Sequence, residues 1–534
     1  MTRPLDKSNH VALSQTTQSL LASQITDPRE ASKARIELEG TPFPLPGTES
    51  LDVRTMSPHT AIVGATGSGK TNIQKLLLST VLPCSNRFGG LRFRSVVYDP
   101  KRELYPYLCD AGIPESQIIV THPFDARCAA WDLAADFAEP AQIEELASMI
   151  VPDNSMIGGK ASSFFENTAR IIVQDVIEGL IVNRGKNWEL RDVILTLSNI
   201  DYLKPMMWLT ENGRESWELF LGSLEDGRDT RLAMDILATL RSFLRPFKSL
   251  AALWSTADTK FSLADWSKGS GLLLLGADPQ RKRTMERVNK LLVQRISQVL
   301  LARDDENPVD LTWFFMDEVR EAGKLEGLRQ LLNEGRSKGV RIVLGFQDIQ
   351  GLYSLYEKHE AEEMIGLCAN RIFLHLDNPG TRTWASDFIG EAEEEIPQLS
   401  ETEGRERSKT ITHKIEKRRN VLPLGFHELR LASPDFGIEG WYAYPRHRNK
   451  FHLSPEHVDQ VLHPGHCDKL PPTMINRSPE SQVLKPWTEE DLFGIEIELG
   501  QDASISQTKT VKRRLRMPHH LKPKPDIIEK DIDQ

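Results

Sequence analysis

The chain has 534 residues, 39% apolar and 27% charged, which is enough for two or three domains with buried cores. A net charge of −10 excludes nucleic-acid binding as a whole-chain property and confines any such contact to a local patch. The five cysteines (Cys84, Cys109, Cys128, Cys368, Cys467) form no C-x-x-C pair, so the chain carries no disulfide framework signature and reads as a cytoplasmic protein with reduced thiols.

Residues 1–40 are polar and rich in Ser and Thr, without the apolar core of a signal peptide, and are expected to form a flexible arm. A first strand is predicted at "TAIVG", and a helix at "TNIQKLLLSTVL", whose apolar residues recur at helical spacing. Between them lies "GATGSGKT", which fits G-x-x-x-x-G-K-[ST]. In this pattern Gly64, Ala65, Thr66, Gly67, Ser68, Gly69, Lys70 and Thr71 would wrap an anion in backbone N–H groups at the positive end of the helix. Lys70 would reach the β- and γ-phosphates of ATP, and the Thr71 hydroxyl would ligate Mg²⁺.

Further strands are predicted at "FRSVVYDP" and "SQIIVTHPFD", completing a first part of the nucleotide-binding domain over 41–138. The texture then changes to amphipathic helices without intervening strands, an all-α domain expected over 139–260. The Phe residues of "SSFFENTAR" and the tryptophans from Trp188 to Trp266 read as the core of that domain. Strands resume at "GLLLLGA", "LTWFFMDE", "VRIVLGFQ" and "NRIFLHL", separated by helices, and give the second part over 261–460. The fold class expected is α/β with a mostly parallel sheet, interrupted by helices. Residues 461–534 show little periodicity and read as a disordered tail.

A phosphate loop that hydrolyses its nucleotide needs a carboxylate at a second strand end, and "LTWFFMDEV" offers Asp317 for the metal and Glu318 to polarise water. Arg336 and Gln347 also fall where a nucleotide enzyme uses such groups, as a finger into a neighbouring subunit and as a γ-phosphate sensor. From spacing alone, a surface arginine and a strand-end hydrogen bond are the simpler readings of both. The basic run "GRERSKTITHKIEKRRN" and the C-terminal "KTVKRRLRMPHHLKPKP" are either phosphate contacts or solvated segments. His463, His466 and Cys467 in "HPGHC" lack the paired spacing of a zinc site.

In that order, "GATGSGKT", "VVYDPKRELY", "FDARCAAWDL", "FFMDEV", "LLNEGRSKGVRIVLGFQDIQGLYSLY" and "CANRIFLHLDNPGTRTWASDFIG" resemble the motifs of type IV secretion coupling proteins, the TraD/TraG group of conjugative DNA-transfer ATPases. The resemblance implies a RecA-like domain interrupted by an all-α domain, a homohexameric ring, and ATP hydrolysis coupled to DNA translocation. It assigns Lys70 and Thr71 to Walker A, Asp317 and Glu318 to Walker B, Arg336 to the finger acting in trans, and Gln347 to the coupling glutamine. Asp99 and Lys101 match the family's Asp-Pro-Lys motif, with Arg102 where glycine is usual. The implied partners are DNA, a relaxase or relaxosome, and a secretion channel. Most members carry an N-terminal pair of membrane helices with no counterpart here, so the chain is expected to be cytoplasmic and either recruited to the inner face of the membrane by a separate anchoring protein or a soluble relative. The alternatives are a related hexameric ATPase in defence, DNA processing or protein secretion, and a scaffold that retains nucleotide without turnover.

Overall fold

The structure, a computed structural model, describes residues 36–48, 51–81, 92–152, 155–227, 229–305, 310–402, 408–488 and 491. The N-terminal arm up to residue 35 and the basic C-terminal run lie outside the described residues. The described residues divide into two compact units, one within 1–138, 189–191 and 244–484, the other within 139–188, 192–243 and 485–534.

The first unit is built on thirteen strands: β1 (Thr60–Val63), β2 (Arg92–Asp99), β3 (Ile118–Val120), β4 (Ala130–Trp131), β5 (Lys260–Phe261), β6 (Gly271–Gly276), β7 (Asp310–Met316), β8 (Val340–Phe346), β9 (Asn370–Phe373), β10 (Glu391–Thr402), β11 (Ser408–Arg419), β12 (Ile438–Tyr444) and β13 (His447–Leu453). Nine of them form one sheet in the order β13-β12-β9-β1-β8-β7-β2-β6-β3. The seven strands expected from sequence are its parallel part, and all residues of β1, β6 and β8 are buried. Continuous burial is why these strands read as unbroken apolar runs rather than alternating ones: helices cover both faces. β12 and β13 add an antiparallel edge that the sequence reading did not anticipate. Parallel register sets Val63 beside both Phe346 and Phe373, so the chain leaves β1, β8 and β9 along one edge of the sheet. In open α/β sheets the crevice along the carboxyl ends is where ligands bind.

Two sequence expectations need correction here. The basic run near residue 410, open from sequence between phosphate contact and a solvated segment, is largely β11, paired antiparallel with β10 in a two-stranded ladder from Glu391↔Arg419 to Thr402↔Ser408. The tail read as disordered from residue 461 has a defined path as far as residue 488. Its polar residues looked solvated but are used as hydrogen-bonding groups: the Asp110 carboxylate accepts from the amides of Gly465 and Cys467, each at 3.1 Å. The Ala126 amide donates to the Ile475 carbonyl at 2.7 Å. Arg477 donates to the Leu253 carbonyl at 2.7 Å and to Thr256 Oγ1 at 2.9 Å.

The second unit is helical, with Pro140–Ile150, Ser155–Arg184, Ile200–Met207 and most of Arg231–Leu244 as its main elements. Trp188 and Trp217 are buried in it, but Phe164 and Trp208 are 44% and 40% exposed, and Trp254 and Trp266 are buried in the sheet unit instead. The tryptophan series therefore does not belong to one core. Trp487 joins the helical unit from the far end of the chain: its indole donates to Asp192 Oδ1 at 2.7 Å, and its ring lies 4.7 Å from that of Tyr202.

Candidate nucleotide site

The loop from Gly64 to Gly69 joins β1 to the helix Lys70–Val81. Gly67 and Gly69 have φ of +77° and +95°, a conformation that costs an L side chain but not glycine. At Gly64 the constraint is space, since a Cβ there would lie 2.4 Å from Ser68 Oγ and 2.9 Å from Leu374 Cβ. The loop is braced from outside: the Ala65 amide donates to the His375 carbonyl (2.8 Å), and the Ala432 amide to the Gly67 carbonyl (3.1 Å). Lys70 folds back over it, its Nζ donating to the carbonyls of Gly64 (2.7 Å) and Ala65 (3.4 Å).

Asp317 and Glu318 follow β7, and Gln347 follows β8, so all three arrive at the same sheet edge as the loop. The Thr71 hydroxyl lies 3.1 and 3.0 Å from the two Asp317 oxygens. Gln74, one turn further along the helix, fixes the same carboxylate: with its amide oriented to satisfy both partners, it donates to Asp317 Oδ1 at 2.9 Å and accepts from the Asp317 amide at 3.2 Å. Gln347 faces both sides of the site: Thr66 Oγ1 donates to its Oε1 at 3.3 Å, and on the other side its amide draws the Glu318 carboxyl downward in pKa. Thr66, Thr71, Asp317, Glu318 and Gln347 line a cleft of about 740 Å³. Its far wall comes from residues around Ala277 and Asp278 after β6.

Burial sets the electrostatics. It pushes Glu318 up to about 7, with Lys70 pulling the other way. Asp317 is raised for the same reason against the pull of Lys101, and Lys70 is lowered by burial against the pull of Glu318 and Asp317. A carboxylate poised near neutrality beside a cleft is suited to accept a proton from water.

Of the Asp-Pro-Lys group, Asp99 is a helix cap: it accepts from the amides of Glu103 (3.1 Å) and Leu104 (2.7 Å), and burial raises it to about 6. Lys101 enters the cleft, where its Nζ donates to Thr71 Oγ1 at 3.0 Å. Arg102, which stands where glycine is usual in the family motif, has φ +62° and keeps the left-handed bend. Its guanidinium ties that bend to the Ala277 carbonyl at 3.1 Å and to Asp278 at 3.1 Å. Arg336 is not brought to this cleft. It is exposed on the turn between the helix Glu326–Glu334 and β8, at the opposite end of β8 from Gln347.

The sequence reading missed Gln74, which stands out only as a polar residue on the buried stripe of its helix. It also missed His375 and Ala432, which serve through backbone atoms. The donor set fits Mg²⁺ and a nucleotide. A hydroxyl and a buried carboxylate converge where a cation already sits in the form of the Lys101 ammonium. Inside the loop Ser68 Oγ is buried without a hydrogen-bond partner among the described residues. Thr71 and Asp317 are the residues that would hold the metal, which when bound supplies positive charge to the phosphates. Among the described residues, no helix is long and apolar enough to cross a membrane.

A family model described as the type IV secretion-system coupling protein DNA-binding domain matches residues 45–431. The chain is 23% identical over 336 residues to the coupling protein TraD of Escherichia coli K12, covering 62% of this chain and 43% of TraD. It is 20% identical over 389 residues to the conjugal transfer protein TraG of Agrobacterium fabrum, covering 69% of this chain and 56% of TraG. It thus spans about half the length of the curated relatives it matches. The unbound coupling protein TrwBdeltaN70 superposes with a TM-score of 0.62 at 20% identity, covering 84% of this chain and 94% of that one. TrwB in complex with ADP and Mg²⁺ gives 0.58 at 20% identity, covering 86% and 95%.

Proposed function

The chain belongs to the type IV secretion-system coupling protein DNA-binding domain family, and from that premise we propose that it hydrolyses ATP to translocate DNA toward a secretion channel. The observation that carries this reading is the convergence of Lys70, Thr71, Asp317, Glu318 and Gln347 on one cleft at one edge of the sheet. A structural relative binds ADP and Mg²⁺, which supports the same ligands here.

In this reading Lys70 leaves the carbonyls of Gly64 and Ala65 for the β- and γ-phosphates. The loop amides hold the remaining phosphate oxygens without reorganising. Glu318 takes the proton of the attacking water, and Lys70 beside it favours the ionised form that does so. Gln347, bonded to Thr66 and at the end of β8, registers whether the γ-phosphate is present and passes that state into β8. Arg336 acts on the cleft of a neighbouring copy in a ring, because its own chain holds it at the far end of β8. The partners proposed are DNA, a relaxase or relaxosome, and a membrane protein that recruits the chain to the channel.

The test is ATP turnover with no DNA, single-stranded DNA and double-stranded DNA, read beside the mass of the assembly, with Lys70→Ala as the control. Turnover that rises with DNA in a multimer and vanishes in the control supports the reading. Turnover untouched by Lys70→Ala defeats it.

A further inference from the structure

The Lys101 side chain occupies an unusual place for a lysine that is 61% exposed. With most of its stem in water it has many rotamers open to it, yet its ammonium settles on the two groups that would hold the metal. Nζ lies 3.0 Å from Thr71 Oγ1 and 3.8 Å from Asp317 Oδ2. The Thr71 hydroxyl has one hydrogen, and Asp317 accepts it, so Lys101 takes the oxygen's lone-pair side. A metal ion bound to Thr71 uses that same lone pair. The loop lysine does not compete for the place, because Lys70 is engaged with Gly64 and Ala65. A second carboxylate stands ready on the other side: Glu103 lies 3.8 Å from Lys101 Nζ, is 43% exposed, and lines the same cleft.

We propose that Lys101 is a resident cation that competes with Mg²⁺ for Thr71 and Asp317, and that Glu103 receives its ammonium when the metal enters. The inference rests on reading the cleft as a Mg²⁺–nucleotide site. Such an arrangement keeps a buried Asp317 compensated in every state of the cycle, since an unpaired buried carboxylate is costly. It also sets the Mg²⁺ concentration at which the loaded site forms.

The experiment is a titration of the full chain with a fluorescent ADP analogue at rising Mg²⁺, and in EDTA. The quantity read is the Mg²⁺ concentration at half-effect on ADP-analogue affinity. Lys101→Met removes the competitor and is expected to lower it by roughly two- to fivefold, the size of an exposed ion pair. Glu103→Gln removes the receiving carboxylate and is expected to raise it. In Lys101→Met/Glu103→Gln the second change should add nothing, because Glu103 acts through Lys101; this separates its role from simple attraction of the metal. A half-effect concentration unchanged or raised in Lys101→Met overturns the proposal. So does an equal loss of affinity with Mg²⁺ and in EDTA, which would make Lys101 a phosphate ligand. If the unsubstituted chain binds no ADP analogue at all, the nucleotide reading itself fails, a different outcome from binding with unaltered Mg²⁺ dependence.

Discussion

Thr71 and Asp317 lie 246 residues apart in the chain, yet the hydroxyl of one sits 3.0 Å from the carboxylate of the other. The contact joins the first turn of the loop helix to the end of β7 and defines the floor of the cleft. Asp317→Asn keeps the shape and the contacts with Thr71 and Gln74 but removes the charge. It is expected to make nucleotide affinity insensitive to Mg²⁺ and to lower turnover by on the order of 10²-fold or more. Affinity measured with Mg²⁺ and in EDTA checks this, and a preserved Mg²⁺ effect would show that Asp317 is not the metal carboxylate.

Glu318 makes a prediction with two signs. As the base it must be ionised, so turnover should rise with pH through about 7 and level off above it. Glu318→Gln should bind ATP and not hydrolyse it. For stability the direction is opposite. The side chain is buried, with a folded-state value of about 7 against an ordinary 4.5, so between those two values the folded chain holds the extra proton. Stability is therefore lost as pH rises across that window, by up to about 3 kcal/mol above it. Glu318→Gln should raise Tm at pH 8 and change it little at pH 5. A Tm gain that is equal at both pH values would mean the carboxyl is not held neutral by burial.

The parallel core was legible because burial on both faces writes unbroken apolar runs, and because Asp317, Glu318 and Gln347 interrupt those runs at their ends. The β10–β11 ladder was not, since it carries charged and polar residues along both strands and shows no alternation. In the β12–β13 edge, β13 is polar and mostly unburied, which hides it, whereas β12 alternates buried and half-buried positions that the sequence reading passed over. Within the site, side chains that carry chemistry announce themselves by type. Ala432 and His375 brace the loop through an amide and a carbonyl, and no residue type encodes that service. Lys101 was visible as a motif letter, but only the fold brings it onto Thr71.

Arg102 tests how a left-handed bend survives without glycine. The φ of +62° costs an L residue about 1–2 kcal/mol, offset here by bonds to Ala277 and Asp278. Arg102→Ala keeps the strain and loses the bonds, whereas Arg102→Gly loses both. Urea unfolding should therefore rank Arg102→Ala as the less stable of the two variants. The reverse order would mean that the bend imposes no strain on a side chain.

Arg336 separates a motif from a mechanism. Its turn precedes β8 and Gln347 follows it, and 7 residues of extended strand lie between. That puts the arginine ~20 Å from its own cleft along the strand. A guanidinium so placed and exposed either serves another copy or serves nothing. If it enters a neighbour's cleft, Arg336→Ala should bind ATP almost normally and lose turnover, by on the order of 10³- to 10⁵-fold as in well-studied fingers acting in trans. Lysine at this position should restore little, because a point charge lacks the planar fork that spans two phosphate oxygens. The decisive measurement mixes Arg336→Ala with Lys70→Ala, each inactive alone. In co-assembled rings some intact loops stand beside intact fingers, and turnover should return. A surface arginine gives no such complementation. If the two variants are verified in one assembly and the mixture stays inactive, Arg336 does not act in trans, and the cleft must draw its transition-state charge from Lys70 and the bound metal.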